Sequence, residues 1–263
     1  MLENDLLVVG TKLYEEFRNK VPFSYTGVDY PNMNLQDAYQ IQKAYTGLRA
    51  STEGGFAGYK IAYSTKVMQE RIGAKEPVYG RIFSDGVMTS PAVLQRDNFV
   101  RLGIECEVAI RVGRSLDELN RAPFTRDEVF DAIDSLSIAF EIIDTRSSLT
   151  ETSLQQQTAT NISGSGVVLG EPVKNWENAN LESAKCELTL DGQSVGTGYG
   201  ADVNGHPTEP LYWLANALQR AGTGLRKGDV VITGSMIAPQ MLDSATTAVL
   251  EMDHLGSILL NVE

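Results

Sequence analysis

The sequence predicts an α+β protein in which a helical N-terminal region, residues 1–52, precedes a β-rich domain, residues 53–263. Before residue 52 apolar positions recur at helical spacing; from Gly58 onward most of the chain reads as short apolar runs parted by Gly and Pro, the rhythm of strands and turns. With 263 residues, 42% of them hydrophobic and 21% charged, the chain is long enough for a large core and has an ordinary globular composition.

The first helix is predicted over residues 3–19, where Leu6, Leu7, Val9, Leu13 and Phe17 share a face. A loop through Pro22, Gly27 and Pro31 leads to Asn34, an N-cap for a second helix carrying Ala38, Tyr39, Ile41, Ala44, Tyr45 and Leu48; Gly54-Gly55 closes the region. In the strand-like stretch from Gly58 to Ser64, Tyr59, Ile61 and Tyr63 alternate with Lys60, Ala62 and Ser64, so Lys60 turns away from the bulky side. A short helix over 66–71 and a loop at Glu76-Pro-Val-Tyr-Gly80 follow, then a strand over Leu102–Val112. Residues 127–136, capped by Thr125, have helical period and run into a strand over 137–143. The Ser-, Thr- and Gln-rich stretch from 147 to 166 is too polar for core and is expected to be a lid. Later strands are predicted at 166–169, 186–190, 230–233, 245–250 and 257–260. Asp191-Gly192 supplies a hairpin turn, and an amphipathic helix spans about 208–221 with Leu211, Trp213, Leu214 and Leu218 on its apolar side.

A net charge of −12 without a basic cluster speaks against nucleic acid and anionic membranes as partners. The first residues carry acids where a signal peptide needs bases, and no apolar run approaches the length of a membrane span, so a cytoplasmic protein is expected. Cys106 and Cys186 lie far apart without a CxxC motif, and His206 and His254 are too few for a three-histidine zinc centre. No glycine run matches a nucleotide-binding fingerprint.

Within the apolar run Leu102–Val112, Glu105 and Glu107 share a face with Ala109, opposite Ile104, Cys106, Val108 and Ile110. Alone, a Glu-x-Glu pair is most often one solvated side of a strand. Glu141, on a face with Ala139 and Ile143, is a third carboxylate among apolar neighbours. If the three converge, their repulsion calls for a cation, and an all-oxygen donor set suits Mg²⁺ or Mn²⁺ better than zinc. Beside such an ion Lys60 can bind a substrate carboxylate or carry a proton; alone it reads as a strand-end lysine. Thr233-Gly-Ser235 ends a strand with two hydroxyls and a flexible glycine, able to hold an anion by side chains and backbone N–H groups, although by itself it reads as an ordinary turn.

In order along the chain stand Leu35-Gln-Asp-Ala-Tyr-Gln-Ile-Gln42, Gly58-Tyr-Lys-Ile61, Glu76-Pro-Val-Tyr-Gly80, Ile104-Glu-Cys-Glu-Val108, Glu141-Ile-Ile-Asp-Thr-Arg146 and Asn161. Gly205-His-Pro207, Trp213-Leu-Ala-Asn216, Gly228-Asp-Val-Val-Ile-Thr-Gly-Ser235 and Gly256-Ser257 follow. This series resembles the 2-keto-4-pentenoate hydratase and 4-oxalocrotonate decarboxylase family, within the fumarylacetoacetate hydrolase superfamily. The resemblance implies a β-rich roll of mixed sheets preceded by helices, in homo-oligomers, and a divalent-metal-dependent lyase acting on small anionic 2-oxo or 2-hydroxydienoic acids of aromatic catabolism. Hydration to a 4-hydroxy-2-oxo acid is the leading expectation. Decarboxylation of a 2-oxo diacid is the alternative, with acylpyruvate-type C–C hydrolysis or a non-catalytic role beside a pathway enzyme further behind. Glu105, Glu107 and Glu141 fall on the family's metal-ligand positions and Lys60 on its active-site lysine, and substrate contacts are assigned to Lys60, Tyr79, Asn161, Thr233 and Ser235. Val78 stands where the hydratases usually carry an acid and the decarboxylases an aliphatic residue. Thr160 replaces a usual Asp, Ala62-Tyr63 a usual Gly-Leu, and Gly164 a common serine.

Overall fold

The computed structural model describes residues 3–24, 33–147 and 153–263; the expected loop at Gly27 and Pro31, and residues 148–152 of the expected lid, lie outside them. Helix α1 (Glu3–Arg18) packs on α2 (Leu35–Ala50), whose first turn is closed by a reciprocal capping box between Asn34 and Asp37. Leu6, Val9 and Leu13 meet Ala38, Ile41 and Tyr45 in a core of their own that also takes in Ala159.

The chain then alternates strands and short helices: β1 (Phe56–Ala62), α3 (Lys66–Ile72), β2 (Val78–Phe83), β3 (Val87–Thr89), β4 (Ala92–Leu94), β5 (Leu102–Val112), α4 (Arg126–Phe130) and β6 (Ile133–Asp144). There follow α5 (Leu154–Ala159), β7 (Gly164–Leu169), β8 (Lys185–Leu190), β9 (Gln193–Tyr199), α6 (Glu209–Arg220), β10 (Val230–Ile232), β11 (Ile237–Met241), β12 (Thr247–Met252) and β13 (Gly256–Val262). Among the described residues these form two mixed sheets. The larger has the order β2-β1-β10-β5-β6-β7-β3 with β11 also on β5, and the smaller runs β4-β13-β12-β8-β9. The larger sheet curls until β2 approaches β7, which makes the roll that the resemblance implies.

The two faces of the curled sheet differ in chemistry. Its outer face, with Ile104, Cys106, Val108, Ile138, Phe140 and Ile142, packs against Leu188, Leu250, Ile258 and Leu260 of the smaller sheet and forms the main core. Each such side chain contributes about 1.5–3 kcal/mol by leaving water. The inner face carries a smaller apolar set, Ile82, Ala109, Ala139, Val167, Leu169, Val230 and Ile232. Beside it stand the charged residues described below.

Three predicted elements need correction. Glu76–Gly80 is not a loop throughout: Val78–Phe83 is a strand paired antiparallel to β1, and that ladder overrides the local Pro and Gly. The helix expected over 127–136 stops at Phe130, because Ser135 and Leu136 pair with Arg111 and Ile110 of β5. The described part of the expected lid is α5 followed by the start of β7, and its polar residues Thr158, Thr160 and Asn161 are buried. Hydrogen bonds to backbone make that burial tolerable: Thr158 donates to the Leu154 carbonyl, Thr160 to that of Gln156 and Asn161 to that of Arg81. Both cysteines are free and buried, and no described helix is long and apolar enough to cross a membrane.

Candidate active site and metal centre

Strand register brings the acids together. Glu105 of β5 lies directly opposite Glu141 of β6, and Glu107, two residues along, points to the same inner face. One carboxylate oxygen from each falls within 4.8 Å of the others. On the opposite side of the curl Lys60 of β1, 2% exposed, reaches across the interior to donate to Glu141 Oε1 and, at 2.8 Å, to the carbonyl of Ile162. Two bare backbone positions make its channel. A Cβ on Gly80 would come within 3.1 Å of Lys60 Cγ, and one on Gly164 within 2.9 Å of Lys60 Cδ.

Glu107 and Glu141 are 0% and 1% exposed, and only part of their charge is answered. The backbone N–H of Gly234 donates to Glu107 Oε2 at 2.7 Å, whereas Glu107 Oε1 and Glu141 Oε2 are buried with no hydrogen-bond partner among the described residues. Burial is the main reason why all three carboxyls titrate high. For Glu107 the charges of Glu141 and Glu105 add to it and hold the group well above the usual carboxylate range, and Glu141 is raised to about 7 despite Lys60. Three carboxylates and one ammonium leave a deficit of two positive charges. A divalent, oxygen-seeking ion matches that deficit and gives the orphaned oxygens a partner, so the donor set fits Mg²⁺ or Mn²⁺. Cys106, between two of the acids, offers it nothing: its thiol faces the main core, and burial pushes its pKa up.

Residues 67–263 match the family model described as fumarylacetoacetate (FAA) hydrolase C-terminal. The chain belongs to the fumarylacetoacetate hydrolase family. It is 30% identical to the 2-keto-4-pentenoate hydratase of Paraburkholderia xenovorans, over 85% of this chain and 82% of that protein. It is 28% identical to the 2-hydroxyhexa-2,4-dienoate hydratase of Comamonas testosteroni, over 86% of each. Among solved structures, 4-oxalocrotonate decarboxylase from Pseudomonas putida G7, complexed with magnesium and adipate, superposes with a TM-score of 0.91 over 100% of this chain and 99% of that one, at 21% identity.

In this family member the structure gathers Glu105, Glu107, Glu141 and Lys60 at one place, and it puts the other predicted site residues to different uses. Tyr79 is not brought there. It pairs with Ile61, one step out of phase with Lys60, and its ring lies on the other face, stacked on Tyr39 at 4.7 Å and edge-on to Tyr59. Asn161 borders the site but spends its amide on the backbone of Arg81, with Nδ2 donating to the carbonyl at 3.0 Å and Oδ1 accepting from the N–H at 2.7 Å. The Thr233 hydroxyl donates to the Val108 carbonyl, while that of Ser235 accepts from the Cys106 N–H and donates to the Ile237 carbonyl. What this turn presents to the acids is the N–H of Gly234. Its φ of +121° and the 2.3 Å approach of a would-be Cβ to Ser64 Oγ require glycine.

Sequence reasoning missed the Ile162 carbonyl, a backbone group without a side-chain signature, whereas the backbone N–H groups of Thr233-Gly-Ser235 were expected to hold an anion, and the anion that Gly234 holds is the carboxylate of Glu107. It also passed over Tyr63, which holds a φ of +55° just beyond β1; burial and the charge of Glu105 push its phenol up to about 12.

Proposed function

We propose that this protein is a divalent-metal-dependent hydro-lyase that converts a small 2-hydroxydienoate, through its 2-oxo-alkenoate tautomer, to a 4-hydroxy-2-oxo acid. The observation that carries the proposal is the set of three converging carboxylates, Glu105 half-buried and Glu107 and Glu141 buried, with two orphaned oxygens, joined by one buried lysine. Glu105, Glu107 and Glu141 would hold Mg²⁺ or Mn²⁺, which when bound supplies Lewis-acid polarisation of the substrate's 2-oxygen and carboxylate.

Lys60 is the proton-handling and anion-binding group. Two of its three N–H donors are taken by Glu141 and Ile162, which leaves the third to donate to a substrate carboxylate or to give up its proton. Ketonisation moves the proton of the 2-hydroxyl to the distal carbon of the diene. Water then adds across the remaining double bond, with hydroxyl to C4 and hydrogen to C3. Asn161, Thr233 and Ser235 enter by fixing the strands that bear these groups.

A second reading, loss of CO₂ from a 2-oxo diacid, is favoured by Val78. It is fully buried and in phase with Gly80 and Lys60, so methyl groups stand where the related hydratases usually bring an acid. Assembly as a homo-oligomer and association with a pathway enzyme go with the proposal and rest on the family resemblance; a cytoplasmic location goes with it too.

The test supplies 2-hydroxypenta-2,4-dienoate and, separately, 4-oxalocrotonate to the Mg²⁺-loaded protein. Loss of diene absorbance with the first, abolished by chelator, is the expected result. CO₂ release with the second alone would move the assignment to the carboxy-lyase. Neither signal from a protein that binds Mg²⁺ would overturn both.

A further inference from the structure

Between α5 and β7 the chain does something that its sequence does not announce. Asn161, Ile162 and Ser163, none of them glycine, hold φ values of +57°, +51° and +58°, a complete turn of left-handed backbone. L-residues adopt this conformation singly and at a steric cost, so three in succession persist only where their surroundings impose it. The turn's central carbonyl, that of Ile162, accepts from Lys60 Nζ at 2.8 Å, and its next residue, Gly164, forms the wall against Lys60 Cδ.

Two clamps hold this turn. At its start the buried amide of Asn161 grips both backbone groups of Arg81. At its end Arg49, on α2 and 2% exposed, donates from Nη1 to the Gly164 carbonyl at 3.1 Å. The guanidinium of Arg49 is itself fixed on every side. Nε and Nη2 fork onto Glu53 at 2.7 and 2.8 Å, and its plane lies 3.9 Å from the ring centre of Phe17 and 4.2 Å from that of Phe83. Gln42, two turns earlier on the same face of α2, donates to the carbonyls of both Tyr79 and Thr158 and so ties α2 to the strand beside Lys60 and to the helix that leads into the turn.

We propose that Arg49 is a positioning residue for Lys60: from the helical N-terminal region it locks the left-handed turn 161–163 by its end, and the locked turn aims the Ile162 carbonyl that orients the lysine ammonium. The two N-terminal helices thereby take part in the site without touching it. The role assigned to Lys60 in turnover rests on the proposed function; the geometric lock does not.

The experiment follows Arg49→Met, Gly164→Ala and the double variant Arg49→Met/Ser163→Gly in the full-length protein, each checked for native circular dichroism and Mg²⁺ affinity. Lys60 acylation by an amine-reactive ester, read by peptide mass spectrometry in the metal-free protein, is expected to rise about tenfold or more in R49M and in G164A. In R49M/S163G it is expected to return most of the way, because glycine accepts left-handed backbone without the clamp. With substrate, kcat should fall about tenfold or more in R49M, with Mg²⁺ affinity within about twofold of the parent. A folded R49M that labels Lys60 at the parental rate overturns the proposal, and so does a double variant that labels like R49M. If the parent turns over neither substrate while the labelling pattern holds, the reaction assignment has failed and the lock stands.

Discussion

Strand β6 carries two buried ion pairs only a few residues apart, and they are built to different ends. At its C-terminal end Asp144 is paired with Arg146 at 2.7 Å, and its other oxygen accepts the N–H groups of Val100 and Arg101, each at 2.9 Å. Arg146 in turn donates to the carbonyls of Phe17 and Glu16 and lies over the Phe17 ring. Three residues earlier, Glu141 shares one ammonium with a carbonyl and faces two further acids, with an oxygen left unmet. Both pairs are removed from water. The first satisfies its charges within the protein and joins the N-terminal helices to the sheet, whereas the second is incomplete without a cation. Burial of charge alone therefore does not mark a functional site; an unbalanced set of donors and acceptors does.

The sharpest way to break this contrast is to neutralise one member of each set. Glu107→Gln is expected to remove Mg²⁺ binding and to lower metal-dependent turnover by at least about a thousandfold, or ~4 kcal/mol of transition-state stabilisation. At neutral pH the same change should raise the Tm of the metal-free protein, because folding no longer has to bury or protonate a carboxylate beside two others. Isothermal titration, steady-state rates and thermal melts read the three effects, and retained turnover would remove Glu107 from the site. Asp144→Asn should act in the opposite direction. It leaves the Arg146 charge unpaired and costs about 3 kcal/mol of stability by denaturant titration, while Mg²⁺ affinity of the folded fraction stays within about twofold. Equal stability in the two single variants would erase the distinction.

The smallest effect expected is a pH dependence. The Glu141 carboxyl, raised to about 7, binds its proton more tightly in the folded than in the unfolded chain. The stabilisation from this group is therefore fully present below the ordinary carboxylate pKa of about 4.3 and is lost as pH rises through about 7. Metal-free protein should lose about 1–3 kcal/mol across that interval. Mg²⁺ affinity should climb over the same range, because the ion competes with those protons. Melts from about pH 5 to about pH 8, with chelator and with saturating Mg²⁺, check both; stability independent of pH in chelator would contradict the dehydration of Glu141.

Strand periodicity was enough to place Glu105 and Glu107 on one face, Lys60 away from Tyr59 and Ile61, and Glu141 on a face with Ala139 and Ile143. It could not supply the register that sets Glu105 against Glu141, because pairing between residues so far apart in sequence is a property of the folded sheet. The misplaced Tyr79 has the same origin: without β2 recognised as a strand, its phase relative to Lys60 was unknown. The left-handed turn at 161–163 was illegible for another reason, since none of its residues is the glycine that would normally announce such backbone. The helix predicted beyond Phe130 failed because apolar spacing in 133–136 fits either period, and the ladder with β5 decided it.

The alternation of β5 also sets the kind of donor that the site offers a metal. Between two hard oxygen donors the strand holds one soft donor, Cys106, and the pleat keeps it on the far side of the sheet. Zinc and copper, which favour thiolate and imidazole, find only carboxylates here, and an oxidant entering by the substrate's route meets no sulfur from this strand. Sliding β5 by one residue against β6 would present Ile104, Cys106 and Val108 to the interior and bury both glutamates in the core. Pairing register, held along the length of β5, thus decides whether the site offers hard oxygen or soft sulfur.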